Sequence, residues 1–163
     1  MKENLVPFHN QRFQCLQCGE CCRSRNVPLT MEDIKRLSKY EDPTEFLIIF
    51  DERKLVLDRR KWDLGCIFLD DTCCTIQEKK PLICQLYPVC ISDTSLMDQS
   101  EPFQLKDGAD VYIYVDNSCR GVGQGDILDL EEILEKAFII RTQMFATDLG
   151  ILVGWYSEYE ENY

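Results

Sequence analysis

The sequence predicts an α+β fold: a single small domain, residues 1–163, of short helices and a small antiparallel sheet, with a long C-terminal helix. Three observations carry that prediction. Short stretches with good helix caps are interspersed with short stretches that alternate as strands do. One stretch, about 126–149, keeps an apolar stripe at helical spacing for longer than the rest. Ten cysteines among 163 residues are expected mainly in the connections between these elements. One domain is the ordinary outcome at this length, and 45% hydrophobic residues suffice for a core without staples.

Residues 1–14 read as an irregular lead-in to the cluster QCLQCGECCRS. PLTMEDIKRLSKY then reads as a helix, with Thr30 as N-cap and Ile34 and Leu37 on one face. DPTEFLIIF reads as a second short helix: Asp42 caps it, Pro43 takes the first helical position and Glu45 completes a capping-box-like pattern. KLVLDR alternates like a strand, and CIFL is its expected partner. Pro81 to Leu86 is a short helix ended by Tyr87-Pro88. EPFQLKDGADVYIYV is a hairpin with Asp107-Gly108 at or near the turn, and CRGVGQG is a glycine loop. DILDLEEILEKAFIIRTQMFATDLG is the longest helix, with Leu130, Ile133, Leu134, Ala137 and Phe138 as its stripe and Gly150 as its C′ stop. The acidic tail, 155–163, has no assigned structure.

Charge narrows the partners. Twenty-nine Asp and Glu against 18 Lys and Arg give a net charge of −11, which argues against nucleic acid and against anionic membrane surfaces. No apolar run is long enough to span a bilayer, and MKENLVPFHNQRF lacks the apolar segment of a secretory signal. A cytoplasmic location with reduced thiols is therefore expected. There, thiols in bulk point to metal or redox chemistry rather than disulfides. The lone histidine, His9, reads as a surface residue, so any metal site must be almost wholly sulfur.

The cluster explains why. Two residues between cysteines let a tight turn aim both sulfurs at one ion while backbone N–H groups spread the negative charge. Cys15 and Cys18 have that spacing, Gly19 supplies a positive φ after them, and Cys18 and Cys21 repeat it. Together they form the C-x2-C-x2-C run that opens bacterial ferredoxin sites. Adjacent Cys21 and Cys22 are expected to diverge, serving two centres or different metals of one cluster. Disulfides and simple buried thiols are the alternatives; the latter suits Cys73 and Cys90.

FQCLQCGECCRSRNVPLTMEDIKRL, GCIFLDDTCCTIQEKKPLICQLYPV and CRGVGQG together resemble the CxxCxxCC cysteine-cluster proteins of YkgJ type, described as a zinc- or iron-chelating domain. The resemblance covers about residues 13–125. It implies metal ligation by Cys15, Cys18, Cys21, Cys22, Cys66, Cys74, Cys84 and Cys119. Cys73 and Cys90 fall outside its pattern. Gln77 stands where an aromatic is usual, and Lys80 and Gln85 replace two arginines of the block around Cys84. The family includes flagellin lysine N-methylases, which makes part of a protein-lysine methylation system a third functional reading. A methyl-donor site is not evident, so no methyltransferase is assigned.

The triple of cysteines, the doublet and the scarcity of histidine lean toward an iron–sulfur cluster of [4Fe–4S] type; the CxxCG knuckle leans toward zinc. Either leaves two net negative charges on a four-thiolate site. Arg23, Arg25, Lys79, Lys80 and Arg120, close in sequence to ligand cysteines, are candidates to offset them. No P-loop, dinucleotide fingerprint or cysteine–histidine pair is present. The expected role is accessory: electron transfer, or maturation of a larger metalloenzyme, with a larger protein partner. A zinc-stabilised interaction module is the alternative.

Overall fold

The computed structural model describes residues 2–50, 54–98 and 100–143. The α+β class holds, with five helices and small antiparallel sheets among the described residues. Backbone contacts group the described residues into two compact units: 2–16 with 86–142, and 17–85 with 143.

The first unit is built on a four-stranded antiparallel sheet. Its central strand pairs on one side with β1 (Leu5–Pro7) and on the other with β7 (Val89–Ser92), and this centre is β9 (Asp110–Asp116). β8 (Phe103–Gln104) forms the expected hairpin with β9, and Gly108 takes φ 85 in its turn. β9 is nearly continuous in apolar residues because both its faces are covered: Val111, Ile113, Tyr114 and Val115 are all buried. The Tyr114 hydroxyl accepts the Leu96 N–H at 2.8 Å. Tyr114→Phe would leave that donor unpartnered, so thermal unfolding should show a loss of about 1–2 kcal/mol.

The lead-in is not irregular. β1 pairs with β9, and β2 (Arg12–Phe13) pairs with β10 (Asp126–Ile127). Strands of two or three residues leave too little alternation to be read from sequence. The expected long helix is α5, Leu130–Gln143, and it starts where the Asp129 carboxylate accepts the Glu131 and Glu132 N–H groups. Ile133, Ala137 and Ile140 form its buried face, while Leu130, Leu134 and Phe138 are half-buried. Arg141 pairs with Asp107 at 2.6 Å and the Lys106 ammonium lies over the Phe138 ring, which docks the helix on the hairpin turn. Gly150 and the acidic tail lie outside the described residues.

The second unit strings short elements together. α1 is Glu20–Ser24 and α2 is Met31–Leu37. The N-cap role of Thr30 is observed, and Asp33 completes a reciprocal capping box with it. α3 stops at Phe46, having begun at Pro43 under the Asp42 cap. LIIF is therefore no continuation of the helix but strand β3 (Leu47–Phe50), since branched side chains favour the pleated surface. β3 pairs with β4 (Lys54–Leu57), which displaces CIFL as the partner of KLVLDR. Only the single bridge Arg59–Cys66 remains of the expected pairing. Val27 and Leu29 exchange backbone hydrogen bonds with Leu57 and Leu55, extending the β3–β4 ribbon. β5 (Leu69–Asp70) and β6 (Cys73–Cys74) make a small hairpin, and α4 (Leu82–Leu86) follows.

Candidate metal centre

Most of the cysteines sit in regular elements rather than in the loops and short turns expected for them. Cys21 and Cys22 ride on α1, Cys73 and Cys74 form β6, Cys84 lies on α4 and Cys90 on β7. Gly19 starts α1 at φ 73, and its carbonyl accepts the Cys22 N–H. A Cβ at Gly19 would fall 3.1 Å from the Thr72 carbonyl and 3.2 Å from Leu69, so the conformation and the space both require glycine. Forty-odd residues later the chain returns, and the Cys66 N–H donates to the Cys22 carbonyl at 2.8 Å. Arg59 holds this junction: its guanidinium donates to the carbonyls of Arg23 and Leu64 and to Asn26 Oδ1.

The thiols of Cys21, Cys22, Cys66, Cys74 and Cys84 are near enough for charge on one to disfavour ionisation of another. Cys21 and Cys22 do not diverge as expected; they hydrogen-bond. Cys22 donates to Cys21 and, with help from Arg25 and Lys80, pulls the Cys21 thiol down to about 6 against the effect of burial. The same bond, burial and the charges on Cys21, Cys66 and Cys74 hold the Cys22 thiol up. Burial pushes Cys66 up to about 11, although the Phe68 N–H donates to its sulfur and Arg59 and Arg60 lie close by. Burial, then Cys66, Cys21 and Cys74, raises Cys84, with Lys80 opposing.

A direct test uses reduced protein pulsed with alkylating reagent immediately as the metal is withdrawn, before the stretch 17–85 loosens. The Cys21 thiolate is lost only as pH falls through about 6, so its alkylation should be half-maximal near there. Cys66 should stay unreactive until pH approaches about 11. Cys22→Ala removes the donor and should move the Cys21 midpoint up toward the ordinary 9.0, read by mass spectrometry of alkylated peptides.

Other predicted positions are placed differently. Cys18 lies in the same unit, half-buried. Cys15, exposed, and Cys119, half-buried, belong to the first unit. There the Gln14 N–H donates to the Gly121 carbonyl, and the Cys119 N–H to the Asp116 carbonyl. Buried Asp116 also accepts from Ser118 and from the Tyr87 hydroxyl. β6 turns Cys73 outward, where its S–H reaches Gln17 Oε1 at 3.7 Å. Cys90 donates to the Pro88 carbonyl. Of the predicted cations, Arg25 and Lys80 act on the thiols, whereas Arg23 donates to the Asp71 carbonyl and Lys79 lies over the Tyr40 ring. Arg59 and Arg60 were not anticipated; being 6 or 7 residues from Cys66, they gave no sequence signal. His9 is exposed, as expected.

Backbone strain marks the same places. Gln17, Leu64 and Asp71 have φ of 52, 55 and 51, and each precedes a cysteine by one or two residues. Such residues store about 1–3 kcal/mol each and persist where the surroundings over-determine them. Among the described residues no three His, Cys, Asp or Glu side chains close on a common point as a finished coordination shell. The donor chemistry nonetheless fits a soft cation: several neighbouring thiols, with N–H groups and the Arg25, Arg59, Arg60 and Lys80 cations around them.

Residues 14–120 match the CxxCxxCC family, described as "Putative zinc- or iron-chelating domain". The chain belongs to this family. The CxxCxxCC protein is thus a metal-binding one, for zinc or iron. No curated protein and no solved structure matches it. Among its described residues no helix is long and apolar enough to cross a membrane.

Proposed function

We propose that the protein holds an iron–sulfur cluster, of [4Fe–4S] type, and serves an accessory role: electron transfer, or maturation of a larger metalloenzyme in the cytoplasm. One observation supports this most. Cys21, Cys22, Cys66, Cys74 and Cys84 lie near enough for charge on one to oppose ionisation of the next, with no histidine among them, and a cationic centre would let them ionise together. Iron–sulfur clusters are held by cysteine thiolates, and a C-x2-C-x2-C run opens bacterial ferredoxin sites. Lys80, Arg25, Arg59 and Arg60 would offset the residual negative charge and raise the reduction potential. Among the described residues, the side chains around the thiols are mainly Arg and Lys, which suit holding and orienting an anionic thiolate site and favour an accessory role. A larger protein partner follows from that role.

Zinc is the second reading, favoured by the left-handed Gly19 that completes a CxxCG knuckle. Anaerobic purification separates the two. A brown protein with iron and acid-labile sulfide in matching amounts supports the cluster. A colourless protein with stoichiometric zinc refutes it. Co-purification under the same conditions at low salt tests the accessory role, which fails if no partner is recovered.

A further inference from the structure

We infer that Asp33, acting with Arg36, is a positioning residue for the thiolate centre: its buried carboxylate fixes the entry to α4 and hence the place of Cys84. This rests on the reading of Cys84 as a ligand. Asp33 has no exposed surface, although it lies on a short helix with exposed neighbours. Its carboxylate receives four donors. Oδ2 accepts the Thr30 N–H at 3.0 Å and the Thr30 hydroxyl at 2.8 Å. Oδ1 accepts Arg36 Nη2 at 2.6 Å and the Leu82 N–H at 3.1 Å. These use up the roughly four lone-pair sites of a carboxylate.

Oδ2 alone completes the α2 cap, so the second oxygen has another task. It grips a peptide group 49 residues away, the first of α4. Arg36 carries the grip backward along the same turn, donating to the carbonyls of Lys79 at 3.4 Å and Lys80 at 2.9 Å. Gln85 closes it from the other side by donating to the Lys80 carbonyl at 2.8 Å. Pro81, fully buried between them, has no N–H to offer. A helix of five residues does not hold itself in water, so the position of Cys84 depends on these anchors. The anchored turn also carries Lys80, whose charge acts on Cys21 and Cys84. An apolar contact would join α2 to α4 at lower desolvation cost; the ion pair adds fixed direction at three peptide groups.

The test uses full-length protein reconstituted anaerobically with ferrous iron and sulfide. The rate at which a ferrous chelator strips iron is measured well below the melting temperature, together with the visible and paramagnetic resonance spectra. Asp33→Asn should strip about 10- to 100-fold faster and shift the spectra, the range seen when groups supporting a metal ligand are changed. Thr30→Ala breaks the α2 cap but spares the Leu82 bond; it should lower the melting temperature with no change in rate or spectra. If Asp33→Asn behaves like Thr30→Ala, Asp33 is only a cap and the inference is overturned. Should Asp33→Asn not fold, Arg36→Met keeps the carboxylate and must itself strip faster; an unchanged rate overturns the inference as well. Cys84→Ser is the separate control. If it keeps native iron and spectra, the ligand reading fails, whereas a disturbed Cys84→Ser beside a silent Asp33→Asn removes the positioning role alone.

Discussion

Stripping the metal with a chelator under anaerobic, reducing conditions is expected to unfold much of the stretch Gln17–Gln85. Its regular elements are no longer than seven residues, too short to persist on their own. Its thiols, freed of a cation, would take up protons, because burial and neighbouring charge raise Cys22, Cys66 and Cys84, and the cross-links that tie the short elements together would be gone. Structural zinc contributes about 10–16 kcal/mol in small finger peptides. A whole domain has only about 5–15 kcal/mol of net stability. Limited proteolysis should therefore cut within 17–85 after chelation, and helical circular dichroism should fall. Identical proteolysis patterns and melting curves before and after chelation would show that the elements stand without metal.

Gly121→Ala is the second large effect. A Cβ at Gly121 would stand 2.2 Å from the Gln14 carbonyl oxygen and 2.9 Å from the Phe13 ring. Backbone cannot yield as a flexible side chain does, so the contact between the loop and β2 must part. The Gln14 N–H to Gly121 carbonyl bond and the Phe13–Val122 bridge would go with it. The expected loss is about 3 kcal/mol, the upper end for overpacking, or roughly a 10 °C drop in melting temperature for a chain this size. Gly123→Ala is the comparison: it has open space around it and only the strain of φ 87, about 1 kcal/mol. Should Gly121→Ala melt no lower than Gly123→Ala, the close approach is not what holds the loop. If the approach does matter, Gly121→Ala should also alter the reactivity of Cys15 and Cys119, which flank this contact in sequence.

What could be read in advance divides along physical lines. Thr30 and Asp42 mark helix starts through hydrogen bonds with residues two or three places on, and Pro43 through its fixed φ, so the local sequence carries their message. The Asp107-Gly108 turn and the α5 stripe are local in the same sense. Pairings between distant segments are not. β1 with β9 joins residues about a hundred positions apart, and nothing in LVP announces its partner. The switch from helix to strand at Leu47 is fixed by its pairing with β4, seven to ten residues further on. The thiols were visible by spacing and resemblance, but their supports were not. Asp33 was legible in part, since Thr30-x-x-Asp33 has capping-box spacing; its hold on Leu82 spans 49 residues and has no local mark. Arg59 likewise works through the carbonyls of Arg23 and Leu64, which any residue could provide.

The bond from the Cys66 N–H to the Cys22 carbonyl uses only main-chain atoms. Every amino acid except proline owns both groups, so replacing a neighbouring side chain does not cut the link. Length is another matter. Adding or dropping one residue between Gly19 and Cys22, or between Leu64 and Cys66, would put the wrong peptide unit at the seam and swing a sulfur away from its fellows. This molecule should thus forgive spelling changes near its thiols far more readily than frame-preserving insertions or deletions.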